Sequence, residues 1–173
     1  MGWLRAMFSG HNPEATREIL RLAFRQNLRR VDNKTPIMRR LDASTHALRN
    51  RYKSRGYNKP LEAVALEVLP FAFLSDDECE AGLAEYVTAM EHKGGADADW
   101  LQTTIRRGLD AFVANSSDDY APVKIKLLNV LTHEPDLPAW CIFLNEEDIG
   151  KIVDGSKTAM EQLGFDTTGM FED

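Results

Sequence analysis

The chain has 173 residues, of which 43% are hydrophobic and 28% charged, with a formal net charge of −6. This composition suits one compact domain and argues against a disordered chain. Two distant cysteines, Cys79 and Cys141, argue against a disulfide framework or zinc cluster, and no apolar run approaches the roughly 20 residues of a membrane span. We therefore expect a single cytoplasmic domain over residues 1–173 with reduced thiols and no membrane span.

The first predicted helix begins after Asn12, which places a capping side chain before Pro13, and runs to about Val31. Arginines recur every fourth residue along it and form one stripe: Arg17, Arg21, Arg25 and Arg29. An apolar stripe lies beside them: Leu20, Phe24, Leu28 and Val31. This pattern is typical of a helix that lies on a core and presents its basic side outward.

A second helix is predicted from Thr35-Pro36, which repeats the same signals, to about Arg55, with Gly56 at its end. It carries further basic residues and is accompanied by two tyrosines: Arg39, Arg40, Arg49, Arg51, Lys53 and Arg55, with Tyr52 and Tyr57. The first two helices together thus form a basic N-terminal part over residues 1–60.

Four more helices are predicted in the acidic remainder. Pro60 begins the third, and Pro70 is expected to end it because proline removes an N–H and clashes with the preceding turn. Ser75-Asp76-Asp77-Glu78 reads as a capping box for the fourth. Its predicted inward face is Cys79, Leu83, Val87 and Met90. The fifth and sixth are predicted over residues 99–114 and 122–132.

The last third of the chain allows two interpretations. Residues 139–144 fit either a short strand or a buried helical turn. After them, Asn145 and its acidic neighbours fit a helix cap, whereas Asp154-Gly155 fits the turn of a hairpin. We favour helix. The predicted fold class is therefore all-α, a bundle-like domain of six or seven helices, with one short β element near residues 139–158 as the alternative.

Charge is divided unevenly along the chain. Residues 1–60 hold 14 Lys and Arg against 4 Asp and Glu, a net charge of +10. Residues 61–173 hold 7 against 23, a net charge of −16. Many of these acids fall at predicted helix N-termini, where carboxylates cap free N–H groups and complement the helix dipole. They are the clusters at residues 76–78, 97–99, 118–119 and 146–148.

This charge pattern supports two hypotheses about function. The leading one is a non-enzymatic protein–protein interaction module, a small regulator, inhibitor or adaptor that binds a protein partner through oppositely charged helical faces. The alternative is nucleic-acid binding, in which the arginines of residues 17–55 contact phosphates and Tyr52 and Tyr57 stack on bases. The same separation of charge would also let copies associate head to tail.

Sequence motifs of enzymes and metal sites are incomplete. Residues 150–158 resemble the phosphate-binding P-loop, but Ser156 is inserted before the lysine. His133-Glu134 begins like the zinc motif HExxH, but Leu137 stands at the second histidine position. No catalytic, cofactor or metal residue is therefore predicted, and an enzyme with a site assembled from distant positions is the least favoured hypothesis.

Overall fold

A computed structural model describes residues 35–92, 95–115, 120–133 and 137–169. They form six α-helices and one short 3-10 helix: α1 (Pro36–Ser54), α2 (Leu61–Ala72), α3 (Asp76–Glu91), α4 (Ala98–Ala114), α5 (Ala121–His133), the 3-10 helix (Ala139–Phe143) and α6 (Glu146–Gln162). The predicted all-α class is confirmed. The β alternative near residues 139–158 is wrong, because the 3-10 helix and α6 cover that range.

Of the two predicted basic helices, only the second lies within the described residues. The first predicted helix, with Arg17, Arg21, Arg25 and Arg29, lies outside the described residues. Among the described helices, none combines the length and apolar character needed to cross a membrane. Of the basic residues predicted to bind a partner, the structure thus shows those of α1 and the loop after it.

Four of the six described α-helices, α1, α3, α4 and α6, are capped at their N-termini by side chains that the sequence predicts. Thr35, Ser75, Asp97 and Asn145 each accept a hydrogen bond from a backbone N–H in the first turn of the following helix. At Ser75 and Asn145 the third helical residue returns a bond to the capping backbone N–H, which completes a capping box. The acidic clusters that begin α3, α4 and α6 thus cap helices as predicted, while the cluster at 118–119 lies outside the described residues.

The central element of the fold is α2, in which every residue from Val64 to Ala72 is buried. Packing against it are α1, α3 and α4, and α4 in turn contacts α6, which packs on α5. Along α4, Leu101, Ile105, Leu109 and Phe112 recur at helical spacing and are all fully buried. Each such side chain contributes roughly 1.5–3 kcal/mol when it leaves water, so the contact between α2 and α4 is strongly stabilising.

The prediction that Pro70 ends the third helix is wrong, because α2 continues to Ala72. Pro70 has no N–H to donate to the carbonyl of Leu66, one turn earlier. The indole N–H of Trp140 donates to that carbonyl instead, at 2.7 Å. A side chain of the 3-10 helix therefore satisfies the group that proline leaves without its helical partner.

The predicted inward face of α3 is confirmed only in part. Cys79 is buried, but Leu83, Val87 and Met90 are only half-buried, and Gly82 and Tyr86 take the central positions. A Cβ atom at Gly82 would lie 2.5 Å from the ring of Phe71. Glycine at this position therefore lets α3 pack closely against that ring, and the side of α3 that bears Gly82 faces the core. As a result the aliphatic residues of α3 face sideways, toward α1.

Glu78 joins α3 to α4 in addition to closing the capping box. It accepts a 2.6 Å hydrogen bond from Arg107, and this bond, followed by those from Ser75, lowers the pKa of Glu78 from 4.5 to about 2. Between about pH 2 and pH 4.5 the carboxylate stays ionised in the folded protein but becomes protonated in the unfolded chain. Its contribution to stability is therefore present above about pH 4.5 and is lost as pH falls toward about 2.

We expect Glu78→Gln to remove that part of the acid sensitivity. Urea unfolding near neutral pH and at about pH 3 measures it, with Asp77→Asn, an exposed neighbour in the same turn, as the control. The wild type and the control should lose more stability between the two conditions than Glu78→Gln does. An equal loss in all three proteins would contradict the assignment.

Candidate functional site

A groove separates α1 from α3. Both helices pack on α2, but they are not among the closely packed helix pairs of the described ranges. The space between them has a volume of about 510 Å³. We name it the α1–α3 groove, and its walls consist of small, aliphatic and charged residues: Arg40, Ala43, Ser44, Ala47, Leu48, Arg51, Asp76, Cys79, Glu80, Leu83, Ala84 and Val87.

Ion pairs bridge the groove at both ends. Arg40 of α1 donates a 2.8 Å hydrogen bond to Asp76 in the first turn of α3. At the other end Arg51 donates two 3.0 Å bonds to the carboxylate of Glu91, which also pairs with Arg55. The bridges join start to start and end to end, so α1 and α3 run in the same direction. They hold the two walls apart at a defined separation without closing the space between them.

The middle of the groove is apolar, and its α1 side is lined by alanine side chains. Ala43 and Ala47 line it from α1, and Leu83 and Val87 line it from α3. Cys79 also lines it, and burial raises the pKa of its thiol, which therefore stays protonated and behaves as a small apolar group. Because an alanine side chain ends at Cβ, a segment lying in the groove could approach the backbone of α1 closely.

A second concavity continues the groove at the C-terminal end of α1. It has a volume of about 600 Å³ and shares Leu48, Arg51 and Val87 with the groove. We name it the Tyr86 pocket. Apolar, aromatic and charged side chains line it, and most of the charged ones are cationic: Leu48, Arg51, Tyr52, Arg55, Tyr57, Lys59, Tyr86, Val87, Met90, Glu91, His92 and Ala139.

A buried carboxylate lies beside this pocket. Glu67 of α2 is only 5% exposed and accepts hydrogen bonds from the Tyr52 hydroxyl at 2.5 Å and the Lys59 ammonium at 2.8 Å. The same ammonium lies 4.2 Å from the centroid of the Tyr52 ring. Burial, followed by the bond to Glu67, raises the pKa of Tyr52. The three groups therefore form a satisfied cluster that holds Tyr52 and Lys59 in place.

The basic residues predicted on the second helix divide between two faces of α1. Arg40, Arg51 and Arg55 face α3 and are paired with its carboxylates. Three others lie on a different side by the 3.6-residue period and form no ion pair with another described residue: Arg39, Arg49 and Lys53. Of the two tyrosines, Tyr52 is engaged with Glu67 and Tyr57 is 62% exposed.

Three residues that shape the pocket are not among those predicted from the sequence: Glu67, Lys59 and Tyr86. One signal was present, because Glu67 interrupts the apolar face of the predicted third helix between Val64 and Val68. A charged residue in that position requires a partner, since a buried carboxylate without one is costly. The partners come from the end of α1 and the loop after it, which the periodicity of α2 does not reveal.

Comparison of the chain with protein-family models, with curated proteins and with solved structures finds no match in any of the three. No relative therefore points to an activity, substrate or partner. The groove and the pocket are the features from which a function is argued.

Proposed function

We propose that the protein is a non-enzymatic protein–protein interaction module whose α1–α3 groove binds an amphipathic helix of a partner protein. The observation that carries this proposal is the groove itself, an apolar channel between two parallel helices that flank a third. From Arg40 to Arg51 its wall spans about 16 Å, roughly three helical turns. A helix with apolar side chains at i, i+3 or i+4, and i+7 is matched to a channel of that length.

Charge defines the partner helix further. Glu80, on the α3 side of the groove, is exposed and forms no ion pair with another described residue. Residues 61–173 carry a net charge of −16. A partner helix with basic residues beside its apolar face, on the side toward α3, would complement both features. We therefore commit to a basic amphipathic helix as the occupant.

The arrangement of arginines supports this proposal over nucleic-acid binding. Arg40, Arg51 and Arg55 already donate to carboxylates, and a paired guanidinium gains less from a phosphate than a free one does. The alternative is retained as a proposal for the other side of α1, where Arg39, Arg49 and Lys53 lie. A cytoplasmic location also remains proposed, in keeping with the free thiols of Cys79 and Cys141.

Filling the groove tests the interaction. Ala47→Trp places an indole between α1 and α3, and Ala81→Trp places one on an exposed position of α3 outside the groove as the control. Each tagged protein is mixed with extract of its native cells, with and without nuclease treatment, and a photoreactive side chain at Ala84, which also lines the groove, marks what lies in it. We expect one partner to be retained by the wild type and Ala81→Trp and weakened roughly tenfold by Ala47→Trp.

Mapping the cross-links decides among the possible occupants. The proposal requires cross-links to a helix of a second protein with basic residues beside its apolar face. Equal retention by Ala47→Trp would contradict it. Cross-links to residues 12–31 of this chain, in the same molecule or another copy, would replace the partner with a self-interaction. Binding that disappears on nuclease treatment would favour the nucleic-acid alternative.

A further inference from the structure

We infer that the Tyr86 pocket is a binding site for a small organic anion with an apolar body. This inference does not depend on the proposed protein partner, because it rests on groups at the end of α1 rather than on the middle of the groove. Three properties of the pocket carry it: an unsatisfied buried hydroxyl, an excess of positive charge, and an apolar lining.

The Tyr86 hydroxyl is the polar anchor. Tyr86 lines the pocket, is 0% exposed, and its hydroxyl has no hydrogen-bond partner among the described residues. Buried tyrosine hydroxyls nearly always have such a partner, because leaving the group unsatisfied is costly. Burial, followed by the charge of Glu67, raises the pKa of Tyr86, so the hydroxyl remains a donor at physiological pH. The hydroxyl oxygen is itself covered, so a ligand oxygen would bond to it once the side chains over it move aside.

Positive charge at the pocket exceeds negative charge. Two guanidinium groups, those of Arg51 and Arg55, share the single carboxylate of Glu91. Lys59 is balanced by Glu67 and so adds nothing to the difference. Among the described residues, the pocket thus carries one cationic charge more than its carboxylates balance. Arginine binds carboxylate and phosphate groups through paired hydrogen bonds, so an anionic group on the ligand would be placed there.

The rest of the pocket wall is apolar and would contact the apolar part of the ligand. Leu48, Val87 and Met90 contribute aliphatic surface, and Ala139 closes the side formed by the 3-10 helix. The volume of about 600 Å³ falls within the roughly 300–1,000 Å³ of small-molecule sites. The pocket therefore combines a mostly apolar wall with a few convergent polar groups, which is the usual composition of a ligand site.

A matched pair of probes tests the site. Calorimetric titration of the full chain with 1-naphthoate and with 1-naphthamide compares molecules that differ only in the charged group, and inorganic phosphate measures binding of an anion alone. We expect naphthoate to bind saturably and roughly tenfold more tightly than the amide, because only the carboxylate can form charge-assisted bonds to arginine. Phosphate should bind more weakly than naphthoate because it lacks the apolar body.

Two variants assign the binding to this pocket. Tyr86→Phe keeps the ring and removes a hydroxyl that no described residue bonds, so it should weaken naphthoate binding severalfold without lowering the stability of the free protein. Arg55→Gln should abolish the preference for naphthoate over the amide, whereas Arg39→Gln, on the other side of α1, should not. No saturable binding at millimolar naphthoate, equal affinity for both probes, or unchanged binding by Tyr86→Phe would each overturn the inference.

Discussion

Gly108→Ala is expected to lower the free energy of unfolding by about 3 kcal/mol, although it adds only one methyl group to a helix. A Cβ atom at this position of α4 would lie 1.6 Å from the carbonyl oxygen of Pro70 and 2.5 Å from its carbonyl carbon. Both atoms belong to the backbone of α2, which cannot rotate away as a side chain would. The substitution would therefore force the two central helices apart and weaken the contacts along their whole interface.

Gly150→Ala provides the matched control. Gly150 also lies inside a helix, α6, but a Cβ atom there would have nothing within 4 Å. Alanine should stabilise that helix by about 0.5–1 kcal/mol, because glycine loses more backbone entropy on folding. Urea unfolding of the two variants should thus give effects of opposite sign. A loss below about 1 kcal/mol for Gly108→Ala would show that α2 and α4 are not in such close contact.

Local signals in the sequence predicted most helix boundaries. Thr35, Ser75, Asp97 and Asn145 cap helices through hydrogen bonds to residues two or three positions later, so each motif contains both partners. The decision for helix over hairpin at Asp154-Gly155 was also correct, because the capping box at Asn145 and the following apolar spacing agree with each other. Fold class followed from these signals together.

Features that depend on distant partners were not predictable. The burial of Lys124 is one example, since this residue of α5 is 0% exposed and its ammonium has no hydrogen-bond partner in the described part of the chain. Nothing in the spacing of residues 121–133 distinguishes it from a surface lysine. Its burial lowers its pKa, and its ammonium lies over the ring of Phe112, 5.8 Å from the centroid. Tertiary packing of α5 overrides the preference of lysine for water.

The candidate site shows the same division between local and distant information. Sequence analysis identified Arg51, Tyr52, Arg55 and Tyr57 as binding residues, and the structure brings all four to the Tyr86 pocket. Their proposed ligand differs from the nucleic acid first considered, because pairing with Glu91 and Glu67 removes most of the free charge. Those acids lie on α2 and α3, so sequence proximity could not show that they face α1.

The hydrogen bond from Trp140 to the Leu66 carbonyl should be coupled energetically to Pro70. Trp140→Phe removes the indole N–H and leaves that carbonyl buried without this partner, which together with the lost volume should cost about 3 kcal/mol. Pro70→Ala supplies a backbone N–H one turn after Leu66, in the position where a helix normally donates. We therefore expect Pro70→Ala to cost less, or to stabilise more, in the Trp140→Phe background than in the wild type.

A double-mutant cycle measures this coupling and cancels the individual effects of each substitution. The expected interaction energy is about 1 kcal/mol in favour of the double variant, within the range typical of residues in one hydrogen-bond network. Additivity within about 0.3–0.5 kcal/mol would mean that Trp140 stabilises the fold through packing alone. Coupling would instead show how proline is tolerated inside α2. The 3-10 helix, far along the chain, supplies the hydrogen-bond donor that proline lacks. The same bond holds Ala139, which lines the Tyr86 pocket, beside α2.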